Sequence, residues 1–209
     1  MRNEILEYFR KANGNYVSGE QISRDLNVSR TAIWKHINIL KSRGYIFESS
    51  TRKGYRLIYA PNLLTPLEIA SVLHTETLGK KVVYFESTPS TNEEAKKIAR
   101  EGAEEGTIVV AEEQTTGRGR LTRHFYSPFA KGIWFSVIFR PTYYTLEAAK
   151  STLLAAVGVC RGIRRLGLAD AGIKWPNDIL YHGKKLVGML CEMSASMDKI
   201  DFIIMGIGI

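Results

Sequence analysis

A short segment in the middle of the chain combines glycines with arginines, a pattern that suits an anionic ligand. Gly117, Arg118, Gly119, Arg120 and Arg123 follow directly after a predicted strand. Glycine lets backbone N–H groups approach an anion without an intervening Cβ, and arginine adds planar, permanently charged donors for phosphate and carboxylate. The segment lacks the ending of a Walker loop and the third glycine of a dinucleotide fingerprint. It predicts either an anion-binding loop of another kind or a flexible, solvated basic loop.

Two later segments place a lysine beside other polar side chains or a glycine. Lys174, Asn177 and Asp178 occur within five residues that are bounded by apolar residues. This pattern indicates either a polar site at a strand end or a surface turn anchored by a tryptophan. Lys185 opens an alternating apolar run, with Gly188 three residues later. Glycine within a strand permits the close approach of a ligand, although an edge strand with a solvated lysine has the same pattern.

A fourth group of polar residues follows the predicted strand that ends at Glu86. Ser90, Thr91 and Asn92 stand at the start of a helical run. Their hydroxyl and amide groups can cap that helix or bind the polar ring of a small ligand. Each of the four groups is ambiguous by itself, so their meaning depends on whether they meet in space.

The elements that must position these residues alternate between strand and helix patterns. Residues 60–64 read as a linker, and Thr65, Pro66 and Glu68 have the N-cap, N1 and N3 types of a helix start. We therefore expect two domains, residues 1–64 and 65–209. The predicted strands are Val82–Phe85, Ile108–Ala111 and residues 133–139, 179–181, 185–192 and 201–209, and the predicted helices are residues 92–100 and 146–166. Hairpin turns at residues 181–184 and 196–199 favour a mixed sheet with helices packed on it, an α/β or α+β fold.

The first 64 residues have a different pattern, that of a winged helix-turn-helix. Apolar residues recur at helical spacing in residues 5–9 and again in residues 33–40. A capping box begins at Ser18, Ser29 caps the third helix, and Gly44 ends it. Residues 45–47 and 55–58 alternate like two strands around a basic tip, which predicts a hairpin wing.

Two short helices joined by a tight turn, the second of them basic, are typical of a DNA-binding helix-turn-helix. In such domains the N-terminal part of the second helix enters the major groove, and the wing contacts phosphate or the minor groove. The candidate DNA contacts are Ser29, Arg30, Thr31, Trp34, Lys35, His36, Arg52 and Lys53. The alternative is a small helical domain that contacts another protein.

The charge distribution favours a polyanionic partner for the first domain alone. Residues 1–65 carry eleven lysines and arginines against five acidic residues. The rest of the chain carries 18 of the 29 basic residues and 16 of the 21 acidic residues, so it is nearly neutral. The first residues lack a secretory apolar run, and no apolar run is long enough to span a bilayer. Cys160 and Cys191 have apolar neighbours, so we expect buried thiols in a cytoplasmic protein, with neither a disulfide nor a metal pair.

The joint presence and order of these motifs resemble one family. Residues 18–40 resemble the helix-turn-helix of bifunctional biotin–protein ligases that also repress a biotin operon. The second domain is similar to their catalytic domain at residues 90–92, at Gln114 and residues 117–123, at residues 127–128, and at residues 174–178, 185–188 and 206–209. The resemblance implies a winged helix-turn-helix followed by a mixed-sheet catalytic domain like that of class II aminoacyl-tRNA synthetases.

The resemblance also implies roles for the matching residues. Residues 90–92 and Gln114 would hydrogen-bond the ureido ring of biotin, and residues 118–120 would belong to a loop that orders over biotinyl-AMP. Lys185 would hold the biotin carboxyl group, Asp178 would lie near the incoming lysine amine, and Asn177 would lie near the phosphate. The expected catalytic residues are Arg120, Lys185, Asp178 and Lys174. The expected contacts of biotin and its adenylate are Ser90, Thr91, Asn92, Gln114, Gly117, Arg118, Gly119, Arg120, Arg123, Trp134, Asn177, Lys185 and Gly188.

The implied reaction has two steps. Biotin and ATP would give biotinyl-AMP, and the biotinyl group would then pass to a lysine of the biotin carboxyl carrier protein of acetyl-CoA carboxylase. Mg²⁺ would accompany ATP without a dedicated protein site. Biotin would also act as corepressor, with the adenylate-bound protein forming a homodimer on two-fold operator DNA.

The sequence departs from the family pattern in its loop and at its end. Thr122 stands where many members have glycine, and Phe125 stands where many have tryptophan, which removes an indole donor. The family continues past the equivalent of Ile209 into a small C-terminal β-barrel domain, which we expect to be absent from this chain. Three alternatives stay open. A non-enzymatic biotin-sensing repressor is opposed by the presence of Lys185 and the loop arginines, and a lipoate or octanoate transferase by the lack of a nucleophilic loop cysteine. The third is a ligase whose winged domain no longer binds DNA.

Overall fold

The computed structural model describes residues 2–42, 44–197 and 199–209, and within them it describes all side chains except those of residues 2, 3, 67, 71 and 122. The chain divides into two compact units, Met1–Asn62 and Leu63–Ile209. The division lies two residues before the expected boundary. A hydrogen bond of 2.7 Å from the Leu64 backbone N–H to Glu112 Oε1 ties Leu64 to the second unit.

The first unit contains three helices and a two-stranded hairpin. The elements are α1 (Arg2–Lys11), α2 (Gly19–Asp25), α3 (Arg30–Ser42), β1 (Ile46–Ser50) and β2 (Gly54–Tyr59). Both predicted helix caps are present, because Ser18 Oγ accepts a hydrogen bond from Glu20 N–H and Ser29 Oγ accepts one from Ala32 N–H, each at 3.2 Å. The Ser18 bond is made with the N–H of Glu20, at position N2. A full capping box would instead use the N–H of Gln21, at position N3.

The core of the first unit fixes the wing against the helices. The core is formed by Ile5, Phe9, Ile22, Ile33, Ile37, Leu40 and Phe47, all at most 7% exposed. The rings of Phe9 and Phe47 meet edge to face with centroids 5.0 Å apart. Gly54 opens β2 at φ +96°, and a Cβ there would lie 2.2 Å from the Val17 carbonyl oxygen, so this close approach requires glycine. The predicted helix-turn-helix and wing are confirmed.

The second unit is a seven-stranded mixed sheet with helices. Its helices are α4 (Pro66–Val72), α5 (Thr91–Arg100) and α6 (Ala149–Arg165), and its strands are β3 (Val82–Phe85), β4 (Ile108–Ala111), β5 (Trp134–Phe139), β6 (Gly172–Lys174), β7 (Asp178–Tyr181), β8 (Lys184–Ser196) and β9 (Lys199–Gly208). The strand order is β3-β4-β5-β9-β8-β7-β6. Strands β3 and β4 are parallel, and every other neighbouring pair is antiparallel. The mixed-sheet prediction is therefore confirmed.

Several element bounds differ from the expected ones. Strand β6 was not expected, because three residues are too few to show an alternating pattern. The predicted helix 146–166 is divided into a 3₁₀ turn, Thr145–Glu147, and α6. Both predicted hairpins are present, as β7/β8 and β8/β9, although the second turn includes Asp198, which lies outside the described residues. Cys160 is buried as expected, whereas Cys191 is only partly buried, and both are free thiols.

The sheet carries one helix layer on each face. Helix α5 packs on one face against Val109, Ile138 and Ile204, and α6 packs on the other against Val187 and Met205. Successive residues of a strand point to opposite faces, so Ile204 and Met205 belong to different cores. None of the helices in the described part of the chain combines the length and apolar character that a bilayer crossing needs. The N-terminus of α5 lies against the middle strands of the sheet, because Asn92 contacts Gly206 of β9.

Candidate functional site

The second unit contains a pocket between the N-terminus of α5, the glycine–arginine segment and strands β8 and β9. Its empty space, open mouth included, is about 450 Å³. Ten of the expected ligand contacts line it: Ser90, Thr91, Asn92, Gln114, Arg118, Gly119, Arg120, Asn177, Lys185 and Gly188. Four motifs that were ambiguous separately therefore meet at one place.

Parallel strands β3 and β4 bring two of these motifs together, because the loops after both strands leave the sheet at the same edge. Gln114 Oε1 accepts hydrogen bonds from the Thr91 N–H at 2.9 Å and from Thr91 Oγ1 at 3.0 Å. Gln114 Nε2 donates to Ser127 Oγ at 3.0 Å. These bonds leave one Nε2 hydrogen of Gln114 unassigned. Ser90, the N-cap residue, makes no side-chain cap bond, so its hydroxyl group can reach a ligand.

Three glycines of β8 and β9 form the floor of the pocket. Gly188 pairs with Gly208 across the two strands, and Gly206 and Gly208 also line the pocket. A Cβ at Gly206 would lie 2.2 Å from Asn92 Oδ1, and one at Gly208 would lie 2.3 Å from the Phe125 ring. The glycines are therefore required by side chains that lie against the strands. Phe125 also lines the pocket, at the position where the family often has tryptophan.

A lysine–carboxylate ion pair lies at the rim of this floor. Lys185 Nζ lies 2.8 Å from Asp178 Oδ1, an oxygen that is buried and has no other partner among the described residues. The pair joins β7 and β8. Asp178 does not itself line the pocket, so it reaches the site through Lys185.

The glycine–arginine segment is a tight loop with partners on both sides of the pocket. The loop is closed by backbone hydrogen bonds from Gly119 N–H to Arg123 O at 2.7 Å and from Phe125 N–H to Gly117 O at 2.8 Å. Arg120 Nη1 donates to Asn177 Oδ1 at 3.0 Å. Arg118 Nη1 lies 3.6 Å from Glu93 Oε1. Both guanidinium groups are mostly solvent-exposed, so they can reorient toward an anion at low cost.

Besides Asp178, four of the expected site residues do not line the pocket: Gly117, Arg123, Trp134 and Lys174. A Cβ at Gly117 would lie 2.4 Å from the Phe125 carbonyl oxygen, so this glycine shapes the loop. Trp134 is 6% exposed and packs edge to face on Phe125 with centroids 6.0 Å apart, behind the pocket wall. Arg123 and Lys174 are exposed side chains outside the lining. Their roles stay predictions.

Several polar residues that the sequence motifs did not single out hold the pocket residues in place. Ser136 is fully buried, and its Oγ lies 2.8 Å from Thr91 Oγ1 and 2.6 Å from Asn92 Oδ1. Asn92 Nδ2 donates to Glu192 Oε2 at 2.7 Å, and Lys96 Nζ donates to Glu192 Oε1 at 2.7 Å. A sequence signal existed for Glu192, because this charged residue directly follows the apolar run 186–191 and stands two positions beyond Leu190, and alternate residues share a face.

Electrostatic effects around the pocket follow from these contacts. A hydrogen bond from Lys96 lowers the pKa of Glu93. Burial lowers the pKa of Lys96, but hydrogen bonds to Glu192 and Glu93 outweigh burial, so the pKa of Lys96 is raised. Burial raises the pKa of the Cys191 thiol, which makes it a weak nucleophile.

The residues beside the pocket were tested as a magnesium site. Mg²⁺ is usually held by one or two carboxylates together with substrate phosphates. Asp178 Oδ1 already pairs with Lys185, and Asn177 Oδ1 already accepts from Arg120. Across the described part of the chain, no three histidine, cysteine, aspartate or glutamate side chains are grouped as metal ligands. The described residues therefore do not fit a dedicated Mg²⁺ site.

A second surface lies in the first unit, in the groove between α3 and the wing. Arg30, Thr31, Trp34 and Arg52 line this groove. The expected contacts Ser29, Lys35 and Lys53 are exposed outside its lining. His36 is partly buried, and its Nδ1 has no hydrogen-bond partner among the described residues. The structure brings together one arginine from the helix and one from the wing.

Known proteins similar to this chain share both units. A family model described as Biotin/lipoate A/B protein ligase family matches residues 84–209, and a model described as HTH domain matches residues 2–56. The bifunctional ligase/repressor BirA of Bacillus subtilis (strain 168) is 45% identical over 100% of this chain and 64% of its own length. The protein of the same name from Escherichia coli (strain K12) is 33% identical over 95% of this chain and 60% of its own length.

A solved structure agrees with the sequence matches. The biotin protein ligase from Aquifex aeolicus in complex with biotin and ATP superposes with a TM-score of 0.52 and 31% identity, over 62% of this chain and 52% of that chain. This chain thus spans less than two thirds of the length of each of these three proteins. The match to the family model covers more than half of the chain, so the chain belongs to the biotin/lipoate A/B protein ligase family.

Proposed function

We propose that the protein is an ATP-dependent biotin–protein ligase that also acts as a biotin-responsive repressor. The observation that carries the proposal is the convergence of the loop arginines and Lys185 on one pocket with the polar residues 90–92 and Gln114. That pocket offers neutral hydrogen-bonding groups at one part and cationic groups at another. Biotin has a neutral ureido ring and a carboxylate, so the two parts of the pocket suit its two ends. The presence of biotin and ATP in the Aquifex aeolicus relative supports the same ligands here.

In the proposed first step, a biotin carboxylate oxygen attacks the α-phosphorus of ATP, the bond to the bridging oxygen breaks, and pyrophosphate leaves. Two anions must approach each other, so cationic donors are needed to offset their repulsion. Lys185, Arg118 and Arg120 are the cationic residues that line the pocket. Arg120 can leave Asn177 and Arg118 can leave Glu93 to meet the phosphate, because both contacts are solvent-exposed.

In the proposed second step, the amine of an acceptor lysine attacks the acyl carbon of biotinyl-AMP, and AMP leaves. The amine must lose a proton, which a nearby carboxylate can accept or orient. Asp178 is the carboxylate proposed for this role, because its Oδ1 contacts Lys185 at the pocket rim. When Lys185 turns to the ligand carboxyl group, Asp178 is released to face the incoming amine. The acceptor is proposed to be the biotin carboxyl carrier protein of acetyl-CoA carboxylase.

The repressor role rests on the first unit. Arg30 and Arg52 line one groove, and such a pair can contact the two strands of a DNA backbone or adjacent base edges. Operator binding is proposed to require a homodimer that forms when the loop orders over the adenylate, which would place two winged domains on a two-fold site. Such a protein would act in the cytoplasm, where the operator lies.

Transfer of labelled biotin tests the ligase proposal. The full-length protein is incubated with ATP, labelled biotin and a biotin carrier domain, and the label on the carrier lysine is counted. We expect ATP-dependent transfer, with strong losses in Lys185→Ala and Arg120→Gly. Lipoate and octanoate are run as competing substrates, because the family includes lipoate ligases. Transfer of lipoate in preference to biotin, or biotin binding without transfer, would contradict the ligase assignment.

A further inference from the structure

A buried hydrogen-bond chain runs from Glu192 on β8 into the pocket. We propose that Glu192 is a positioning residue: it holds the Asn92 amide in one orientation and thereby keeps both lone pairs of Thr91 Oγ1 from being used by Ser136, so that they can accept from an N–H group of the ligand. The inference rests on the proposed function, because it takes the ureido ring of biotin as that ligand.

The first step of the chain is the orientation of Asn92. This side chain is 5% exposed and lines the pocket. Its Nδ2 donates to Glu192 Oε2 at 2.7 Å and, at the longer distance of 3.4 Å, to the Leu190 carbonyl oxygen. A carboxylate only accepts hydrogen bonds, so a flipped amide would place Asn92 Oδ1 against a negative oxygen. Glu192 therefore excludes the flipped orientation.

The second step sets the direction of the hydroxyl groups. Asn92 Oδ1 lies 2.6 Å from Ser136 Oγ and carries no hydrogen, so Ser136 donates its single hydrogen to it. Ser136 can then offer only a lone pair to Thr91 Oγ1, 2.8 Å away. The Thr91 hydrogen points to Ser136 Oγ or to Gln114 Oε1, and in both cases it stays within the protein. What Thr91 presents to the pocket is a lone pair, which suits a ureido N–H.

A flipped Asn92 would reverse this direction. Its Nδ2 would donate to Ser136, which would then donate its own hydrogen to Thr91. That bond would occupy one of the two lone pairs of Thr91 Oγ1, so the hydroxyl group would have one acceptor position fewer for the ligand. The orientation of Asn92 thus controls the chemistry of a group that it does not itself present to the ligand.

A simpler role for Glu192 is the ion pair with Lys96. Lys96 Nζ lies 2.7 Å from Glu192 Oε1 and 3.0 Å from Glu93 Oε1. This pair uses the other carboxylate oxygen, so the two roles can be separated by substitution. Lys96→Met removes the ion pair and keeps the Asn92 contact. Glu192→Gln combined with Lys96→Met also removes the charge, and it keeps an oxygen acceptor for Asn92 because Lys96 no longer competes for that oxygen.

The test measures biotin affinity by titration calorimetry on the full-length protein, together with the KM values for biotin and ATP. We expect Glu192→Leu to weaken biotin binding about tenfold, because the hydrogen bond between Thr91 Oγ1 and the ligand is weakened or lost, without a matching rise in the KM for ATP. Lys96→Met, alone or combined with Glu192→Gln, should bind biotin like the wild type. The reciprocal exchange gives a second measurement, because Asn92→Asp should lose binding and Asn92→Asp combined with Glu192→Gln should regain it.

Two outcomes overturn the inference alone. Wild-type biotin affinity in folded Glu192→Leu would show that Glu192 orients nothing that biotin uses. Equal losses in Glu192→Leu and Lys96→Met would assign Glu192 to the ion pair. If Glu192→Leu does not fold, the reciprocal exchange decides, and failure of the double variant to regain binding counts against the inference. A wild-type protein that binds no biotin would instead overturn the proposed function, and the inference with it.

Discussion

Lys185 Nζ lies 2.8 Å from Asp178 Oδ1 because a β-bulge turns Lys185 to the face of the sheet that carries the pocket. Asp178 pairs with Gly188, and Ile179 pairs with Val187, but Leu180 pairs with Lys185, so Leu186 is skipped. Without the bulge, strict alternation would place Lys185 and Gly188 on opposite faces. The bulge is thus the local feature that joins a lysine from β8 to the carboxylate at the start of β7.

The first prediction concerns this ion pair. Lys185→Ala should reduce formation of biotinyl-AMP about 100-fold or more, because it removes a donor aimed at developing charge. It should also leave the buried Asp178 Oδ1 without a cationic partner. ATP–pyrophosphate exchange measures the adenylation step without an acceptor protein. The matched control is Lys184→Ala, which removes the neighbouring exposed lysine of the same strand. Similar rates for the two variants would rule out a specific role for Lys185.

The second prediction separates the loop arginines by position. Arg120 lines the pocket and contacts Asn177, whereas Arg123 lies outside the lining. Arg120→Ala should lower the exchange rate by about tenfold or more, the loss of a charge-assisted contact to the phosphate. Arg123→Ala removes the same charge from the same loop and should cost much less. An equal loss in both variants would indicate that the loop acts through its overall charge.

These site features differ in how far the sequence could predict them. The helix-turn-helix, the wing and the positions of the long strands along the chain follow from local periodicity and caps, so they were predictable. The face of Lys185 was not, because a bulge depends on pairing with another strand. Trp134 was expected to contact ligand, and the sequence did not indicate that it packs behind Phe125, because that contact depends on tertiary packing. Glu192 was overlooked because its partner Asn92 is 100 residues away along the chain.

The third prediction uses the glycine floor. Gly206→Ala should lower the free energy of unfolding by about 1–3 kcal/mol, as overpacking does in a well-packed core, and should abolish biotin binding. The reason is the new Cβ, which would lie 2.2 Å from Asn92 Oδ1, a side chain with no room to move. Urea unfolding and calorimetry measure the two effects. Gly162→Ala is the matched control, because no atom lies within 4 Å of its new Cβ. In an exposed helix this change should stabilise by about 0.5–1 kcal/mol.

The fourth prediction concerns Glu112, which is 1% exposed and accepts a hydrogen bond from the Leu64 N–H. Burial raises the pKa of Glu112, and hydrogen bonds from Leu64 and Tyr84 offset only part of the rise. The folded state therefore keeps this proton at pH values where the unfolded chain, with a pKa near 4.5, has lost it. The contribution of Glu112 to stability is complete below that value and declines as the pH rises through the folded pKa.

Glu112→Gln does not titrate and keeps an oxygen for the Leu64 N–H. The stability of this variant relative to the wild type should therefore increase as the pH is raised from 4 toward neutrality. Urea unfolding at a series of pH values measures the difference, with Glu113→Gln as the neighbouring control. A difference that is constant over the whole pH range would show that Glu112 has the same pKa in both states.

The last prediction addresses the groove of the first unit. Arg30→Ala and Arg52→Ala should each weaken binding to the upstream region of the biotin synthesis genes, because both side chains line the groove. Removal of an arginine that contacts phosphate should also reduce the slope of log K against log salt by about one unit. Removal of an arginine that reads a base should instead cost about 1–3 kcal/mol of binding free energy and relax the sequence preference at that one base pair. Gel shifts at several salt concentrations separate the two. Lys41→Ala, which removes an exposed charge from the end of α3 outside the groove, is the control. Equal weakening by Lys41→Ala and Arg30→Ala would mean that binding follows the net charge of the domain, and unchanged binding in both arginine variants would favour a winged domain that contacts protein instead.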